Sequence, residues 1–230
     1  MTDSLTSWIH VVVLALIQGL SEFLPISSSA HLVLPSQLLG SPDKGLMFDV
    51  AVHVGTLTAV VAFFWRDLVV LLGDVYPPLR AQSAHPGELW RLALATLPAV
   101  LAGFALSDFI EGHLRGLGVI AATTLVFGVL LGWSSRISAR HDHSKEGGPH
   151  DSSPIGWRDA LLIGIAQMLA LIPGVSRSGV TITAALFLGY SATTAARFSF
   201  LLSVPIILGA MLFMGLDILE GEGTGVPLEQ

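Results

Sequence analysis

The chain has 230 residues, of which 52% are hydrophobic and only 12% are charged. A soluble domain carries about 25% charged residues, so this composition, with a mean hydropathy of +0.72, predicts a protein whose apolar surface faces lipid. The eleven Lys and Arg residues are scattered and exclude a basic stripe for nucleic acid, and the absence of cysteine excludes disulfides and thiol catalysis.

The apolar stretches, taken in chain order, predict two broken segments and four simple spans. Ile9–Leu39 is interrupted by Pro25 and a run of three serines, and Ile155–Leu188 by Pro173 and a Ser-Arg-Ser run. Each half is too short to cross a bilayer, and irregular backbone at membrane depth must be buried or line a wet cavity. Both segments are therefore predicted to be re-entrant hairpins. The predicted spanning helices are Phe48–Trp65, Trp90–Leu106, Leu117–Trp133 and Phe198–Leu216.

The two broken segments align with each other, with Gln18 near Gln167 and Ser27 on Ser176. Internal repeats with broken helices at corresponding positions are typical of transporter-like membrane folds. Only Lys44 and Arg115 lie on one predicted side, so the other, basic side is predicted to be cytoplasmic. The hairpins then enter from opposite sides, as an inverted-topology repeat requires. The residues of the basic side are Arg66, Arg80, Arg91, Arg136, Arg140, Lys145, Arg158 and Arg197.

The predicted fold class is an all-α polytopic membrane protein, with one membrane domain over residues 1–230. The first repeat is assigned to residues 1–135, a linker to 136–154, an incomplete second repeat to 155–216 and an acidic tail to 217–230. The first repeat has one hairpin and three spans, whereas the second has one hairpin and one span. Either the repeats are unequal or about two C-terminal helices are missing.

The first broken segment carries several groups that suit anion chemistry. Gln18 and Glu22 are four residues apart and share one helix face, and an ionisable residue within an apolar helix is by default a functional hypothesis. Pro25 ends this half-helix. Ser27–Ser29 then begin the next one, where free N–H groups and the helix dipole favour an anion. His31 follows about one turn later.

The second broken segment repeats this design and adds a guanidinium. Ser176, Ser178 and Thr181 supply hydroxyls, and Arg177 binds phosphate bidentately without losing its charge. Together the two segments form a set of groups that can handle a phosphate or diphosphate. A diphosphate usually brings a divalent cation, for which Glu22 is the natural ligand.

Structural interpretations stay open for the same residues. Ser27–Ser29 could bond only to backbone or to neighbouring helices. Glu22 and Arg177 could form a purely structural ion pair, and His31 could be an interfacial residue. His53, near the start of a predicted helix, is interpreted as a capping residue.

The segments Gln18–His31 and Pro173–Thr181 resemble the two signature motifs of the bacterial undecaprenyl-diphosphate phosphatase family, the bacitracin-resistance membrane phosphatases. The similarity continues through Phe48–Thr56 and Ala196–Pro205 and covers most of the chain. Many members of the family have Glu at the position of Gln18, so a second carboxylate is absent here.

The resemblance implies hydrolysis of undecaprenyl diphosphate to undecaprenyl phosphate and phosphate, which recycles the carrier lipid for cell-wall synthesis and confers bacitracin resistance. It also implies a multi-pass protein of the bacterial inner membrane, a site facing the outer side, and a divalent cation, Mg²⁺ or Ca²⁺. The expected partners are the polyprenyl diphosphate lipid and the bilayer, with homo-oligomerisation left open.

The resemblance also implies residue roles. Glu22 would be a metal ligand or base, Ser28 the nucleophile, His31 an alternative nucleophile or proton donor, and Arg177 the phosphate clamp. The residues implied to line the phosphate pocket are Gln18, Ser27, Ser29, Ser176, Ser178 and Thr181.

The rival interpretation is a secondary transporter or flippase for an anionic or lipid-phosphate substrate. Inverted repeats with broken helices are as typical of transporters as of enzymes. Ser28 and His31 beside the carboxylate of Glu22 favour chemistry, because a carrier needs no nucleophile.

Overall fold

The computed structural model describes residues 2–28, 31, 46–76, 86–114, 116–143 and 154–220, and every regular element within them is helical. This confirms the predicted all-α class. The described α-helices are α1 (Thr2–Ser21), α2 (Leu46–Phe63), α3 (Trp65–Leu72), α4 (Glu88–His113), α5 (Leu117–His143), α6 (Trp157–Gln167), α7 (Arg177–Phe187) and α8 (Ala192–Glu220).

Three of these helices, α4, α5 and α8, are long and apolar enough to cross a membrane. The pair α2 and α3 meets the same criterion jointly, although its axes differ by 75° at the break at Phe64. These four elements correspond to the four predicted spans. The protein is therefore a multi-pass membrane protein.

Helix α3 is an element that the sequence did not predict, because its residues fall in a stretch expected to be a connector. Asp67 of α3 accepts hydrogen bonds at 2.7 and 3.0 Å from the guanidinium of Arg197 on α8. Leu71 is buried in the core, whereas Trp65 is exposed. A short helix with one buried and one polar face is thus held against the bundle. Helix α5 likewise continues to His143, into the stretch assigned as a linker.

The second broken segment forms a hairpin of two short helices. Helices α6 and α7 have 11 residues each, which is about 16 Å of helix and half of a bilayer core of ~30 Å. Between them, Gly174 has a φ of 93°, and a Cβ there would collide with α5 at Ile120 and Thr123. Thr123 and its neighbour Thr124 donate hydrogen bonds to the carbonyls of Pro173 and Gly174 at 2.8 and 3.0 Å. Helix α5 therefore satisfies the irregular backbone of this turn.

The first broken segment is less symmetrical than expected. Helix α1 has 20 residues rather than half a span, and its described part includes the apolar stretch Val11–Ser21. A turn over residues 22–27 follows, Ser28 and His31 are helical, and the rest of this predicted hairpin lies outside the described residues. The two turns meet where Ser178 Oγ donates a 2.9 Å hydrogen bond to the carbonyl of Leu24. The inverted orientation of the hairpins and the repeat boundaries stay predictions.

The bundle is tightest where α4 and α6 cross. A Cβ on Gly164 would lie 2.5 Å from the carbonyl oxygen of Ala95, so only glycine permits this approach. Ile163, Leu201 and Leu202 are fully buried beside the crossing. This contact holds the second hairpin rigidly against α4 and positions its polar turn.

Candidate active site

The turns of the two hairpins bring a carboxylate and a guanidinium together. Arg177 Nη2 donates a 3.1 Å hydrogen bond to Glu22 Oε1, and the two side chains are only 11% and 9% exposed. Arg177 Nη1 donates to the carbonyl of Ser199 on α8 at 3.2 Å. Because an unpaired buried charge is strongly destabilising, this ion pair joins the two hairpins.

The other carboxylate oxygen, Glu22 Oε2, accepts from two groups of the first hairpin. Ser28 Oγ donates to it at 3.0 Å, and Gln18 Nε2 donates to it at 2.8 Å. A hydroxyl hydrogen-bonded to a carboxylate is the arrangement of a nucleophile beside its general base.

The hydroxyls of the second hairpin differ in position. Ser176 lines the cavity described below and caps α7, since its Oγ accepts a 3.1 Å hydrogen bond from the N–H of Gly179. Ser178 is buried and bonds to Leu24, as described above. Thr181 is also buried, and its Oγ1 lies 2.7 Å from Ser199 Oγ. Ser178 and Thr181 thus connect elements around the site rather than forming the described cavity wall.

The remaining predicted residues of the first hairpin lie outside the cavity wall or outside the description. His31 is exposed, and its ring Nδ1 donates a 2.6 Å hydrogen bond to the carbonyl of Ser27. Neither His31 nor the buried Ser27 is among the described residues that line the cavity. Ser29 lies outside the described residues.

A cavity of about 420 Å³ adjoins these groups. Its polar end is formed by Glu22, Ser28, His53, Ser176 and Arg177. Such a cavity suits an amphiphile with an anionic head, because its polar end carries a guanidinium and its walls are apolar. The apolar walls include Val100, Phe104, Ile110, Ile206 and Ile207.

Two cavity residues were not predicted as site residues. His53 Nε2 lies 3.3 Å from Gln18 Nε2 and 4.0 Å from Glu22 Oε2. The sequence signal that could have identified His53 as a site residue is its position in Phe48–Thr56, a segment that is part of the family resemblance. Gln167 also lines the cavity, and the sequence alignment of the two broken segments had paired it with Gln18 as its repeat counterpart.

The residues present fit a divalent cation that is shared with a phosphate. Among the described residues there is no cluster of three or more His, Asp or Glu side chains. Gln18 Oε1, however, is buried and has no hydrogen-bond partner within the described structure. A carboxylate and an amide oxygen are hard ligands, and phosphate oxygens and water commonly complete the coordination of such an ion.

Sequence comparison with known proteins identifies the family of this chain. The sequence model of the family described as "Bacitracin resistance protein BacA" matches residues 11–227. A relative from Chromohalobacter salexigens, named "Undecaprenyl-diphosphatase", is 55% identical over 220 residues, which are 94% of this chain and 80% of the relative. The family match includes both polar segments, Gln18–His31 and Pro173–Thr181. The chain therefore belongs to the bacitracin resistance protein BacA family.

Proposed function

We propose that this protein is an undecaprenyl-diphosphate phosphatase, which hydrolyses the lipid diphosphate to undecaprenyl phosphate and phosphate. The observation that carries the proposal is the contact of Ser28 and Arg177 with the same carboxylate, Glu22, at the polar end of an apolar-walled cavity. The named relative acts on the same class of substrate. The product would be the recycled carrier lipid for cell-wall synthesis, and its supply would confer bacitracin resistance.

The proposed mechanism uses groups already in contact. Arg177 and the N-terminus of α7 hold the diphosphate and stabilise its charge. Ser28 Oγ attacks the terminal phosphorus while Glu22 accepts the hydroxyl proton. The bond from that phosphorus to the bridging oxygen breaks, and the lipid monophosphate leaves with the proton that Glu22 had accepted, so that Glu22 is a carboxylate again. Water then cleaves the bond between Ser28 Oγ and phosphorus, which restores the hydroxyl and releases hydrogen phosphate.

A divalent cation, Mg²⁺ or Ca²⁺ by family resemblance, is part of the proposal. Glu22 would hold it, and the amide oxygen of Gln18 could serve as a further ligand. When bound, such an ion neutralises phosphate charge. The hydrogen bond from Ser28 to Glu22 and the clamp by Arg177 are present in the protein itself.

The proposed location is the bacterial inner membrane, with the site open to the outer side. The cavity reaches Ile110, near the C-terminal end of α4, and Ile207, in the middle of α8. The basic residues Arg91 and Arg197 lie near the opposite ends of the same helices. The positive-inside rule assigns those basic ends to the cytoplasm.

The test is phosphate release from undecaprenyl diphosphate by the purified protein in detergent or proteoliposomes, with and without a chelator. We expect the protein to release phosphate and lipid monophosphate in equal amounts, and we expect neither product to form when the chelator is present. Movement of the lipid diphosphate across liposomes without phosphate release would instead support the transporter interpretation.

A further inference from the structure

We propose that Gln18, Glu22 and His53 form a divalent-cation site with an imidazole nitrogen among its ligands. This inference deepens the proposed function, because the ion would lie beside the bound diphosphate. It assigns His53 as a cation ligand and changes the class of metal that the site selects.

The carboxylate and the imidazole converge on one point. Gln18 Nε2 donates at 2.8 Å to Glu22 Oε2 and lies 3.3 Å from His53 Nε2. In the tautomer of His53 that carries its proton on Nδ1, the lone pair of Nε2 faces the same amide group as Glu22 Oε2 does. The two acceptors are 4.0 Å apart. Two neighbouring ligands of an octahedral ion, each at about 2.1 Å, are separated by about 3.0 Å, so the two acceptors must approach each other by about 1 Å to bind the same ion.

The carboxamide of Gln18 supplies the third ligand. Its Nε2 lies where a cation would face both acceptors, while its Oε1 is buried with no partner among the described residues. Rotation of the carboxamide by half a turn places Oε1 toward that point, and Nε2 then takes the buried position that Oε1 holds now. The result is a set of one nitrogen and two oxygen ligands. Such a three-ligand set leaves open positions for phosphate oxygens or water, as catalytic metal sites do.

The surroundings also suit this ion. The second oxygen of the carboxylate, Glu22 Oε1, is held at 3.1 Å by Arg177, which is an outer-shell contact of the kind that orients metal ligands. The cavity that His53 and Glu22 line gives the ion a route of entry. Because Arg177 already neutralises Glu22, an added dication leaves positive charge that a diphosphate would balance. Cation and diphosphate should therefore strengthen each other's binding.

The imidazole determines the preferred metal. Mg²⁺ and Ca²⁺ favour sites made only of oxygen, whereas Mn²⁺ and Zn²⁺ accept imidazole readily. The site should thus bind Mn²⁺ more tightly than Ca²⁺, and His53 should be the cause of that preference.

The experiment is Mn²⁺ binding to the purified full chain, measured by electron paramagnetic resonance with and without pyrophosphate. Electron spin-echo modulation of the bound Mn²⁺ should show coupling to a ¹⁴N nucleus of imidazole. His53→Gln should abolish this coupling and lower Mn²⁺ affinity by at least about tenfold, the smallest effect typical of losing even an outer-shell partner. Its Ca²⁺ affinity should change much less. His113→Gln is the matched control, because His113 is exposed, stacks on Phe109 at the C-terminal end of α4 and is not among the described residues that line the cavity.

A second variant keeps the inference testable if His53→Gln does not fold. Gln18→Leu should weaken Mn²⁺ binding while the nitrogen coupling persists. The inference is overturned if wild-type protein shows no nitrogen coupling, if the coupling survives in His53→Gln, or if the preference for Mn²⁺ over Ca²⁺ is unchanged there. Nitrogen coupling in a protein that releases no phosphate would contradict the proposed function alone. Phosphatase activity in a protein without the coupling would contradict the cation site alone.

Discussion

Ser28 Oγ donates a hydrogen bond to Glu22 Oε2 across 3.0 Å, so a hydroxyl and a carboxylate are in contact before any substrate arrives. The same carboxylate accepts from Arg177 through its other oxygen. One side chain from the first hairpin therefore connects the proposed nucleophile to the proposed phosphate clamp of the second.

Removing either partner of this hydrogen bond should abolish most of the turnover. Glu22→Gln should lower kcat for phosphate release by about 10²–10⁴-fold, the usual contribution of a general base, and Ser28→Ala should lower it at least as much. The control is Ser21→Ala, because within the described residues Ser21 Oγ donates to the carbonyls of Ile17 and Gln18 of its own helix. Full activity in Ser28→Ala would exclude Ser28 as the nucleophile.

Removing one charge of the Glu22–Arg177 pair should destabilise the protein more than removing both. Arg177→Met leaves a buried carboxylate unpaired and should lower the free energy of unfolding by about 3–5 kcal/mol. The double variant Glu22→Gln with Arg177→Met removes both charges and should recover much of that loss. Denaturant unfolding in detergent measures both values. Equal stability of the single and double variants would show that the pair is not coupled in this way.

The close crossing of α4 and α6 should tolerate no side chain. Gly164→Ala places a Cβ 2.5 Å from the carbonyl oxygen and 2.7 Å from the Cα of Ala95, and such overpacking typically costs about 1–3 kcal/mol. Gly128→Ala is the control, since nothing lies within 4 Å of a Cβ on this exposed helical glycine. Thermal unfolding should separate the two variants, and a Gly164→Ala protein as stable as the control would contradict the packing described.

Stability should fall in strongly alkaline solution because of Tyr190, which precedes α8. Burial, together with the 2.7 Å hydrogen bond that its hydroxyl donates to Asp159, raises the pKa of Tyr190 from 10.0 to about 12. The folded chain then keeps a proton that the unfolded chain loses, so this contribution to stability is complete below about pH 10 and is lost toward pH 12.

The check is a comparison of wild type with Tyr190→Phe, which has no group to titrate. The difference in unfolding free energy between the two proteins should be constant below about pH 10 and should shrink as the pH rises toward 12. A difference that does not change over that range would contradict the assignment.

Sequence analysis predicted most accurately the elements that are encoded by neighbouring residues. Long apolar runs predicted the spans, and Pro173 with its flanking serines predicted the break of the second hairpin. Pairing of the two motifs brought Glu22 and Arg177 to one site although they are 155 residues apart. Helix α3 was missed because its eight residues contain Arg66 and Asp67 and resemble a polar connector. The role of its polar face becomes clear only from the tertiary structure, where Asp67 pairs with Arg197.

Side-chain roles that depend on helix packing were beyond the reach of sequence patterns. His53 approaches Glu22 because α2 packs against α1, and nothing near His53 in the sequence encodes that distance. Thr181 has the spacing of a pocket residue, yet its hydroxyl turns toward Ser199 on α8. The spacing of residues along a helix predicts which of them share a face. The residues that this face contacts depend on how the helices pack in the tertiary fold.

The order of synthesis gives the Glu22–Arg177 pair a further consequence. At ribosomal rates of about 5–20 residues per second, the carboxylate is made on the order of 10 s before its guanidinium partner. During that interval the first hairpin holds an acidic group in apolar sequence with no counter-charge from the second. The charge-paired polar centre therefore exists only after the second hairpin has folded against the first, and assembly of the site is a late event in the biogenesis of this protein.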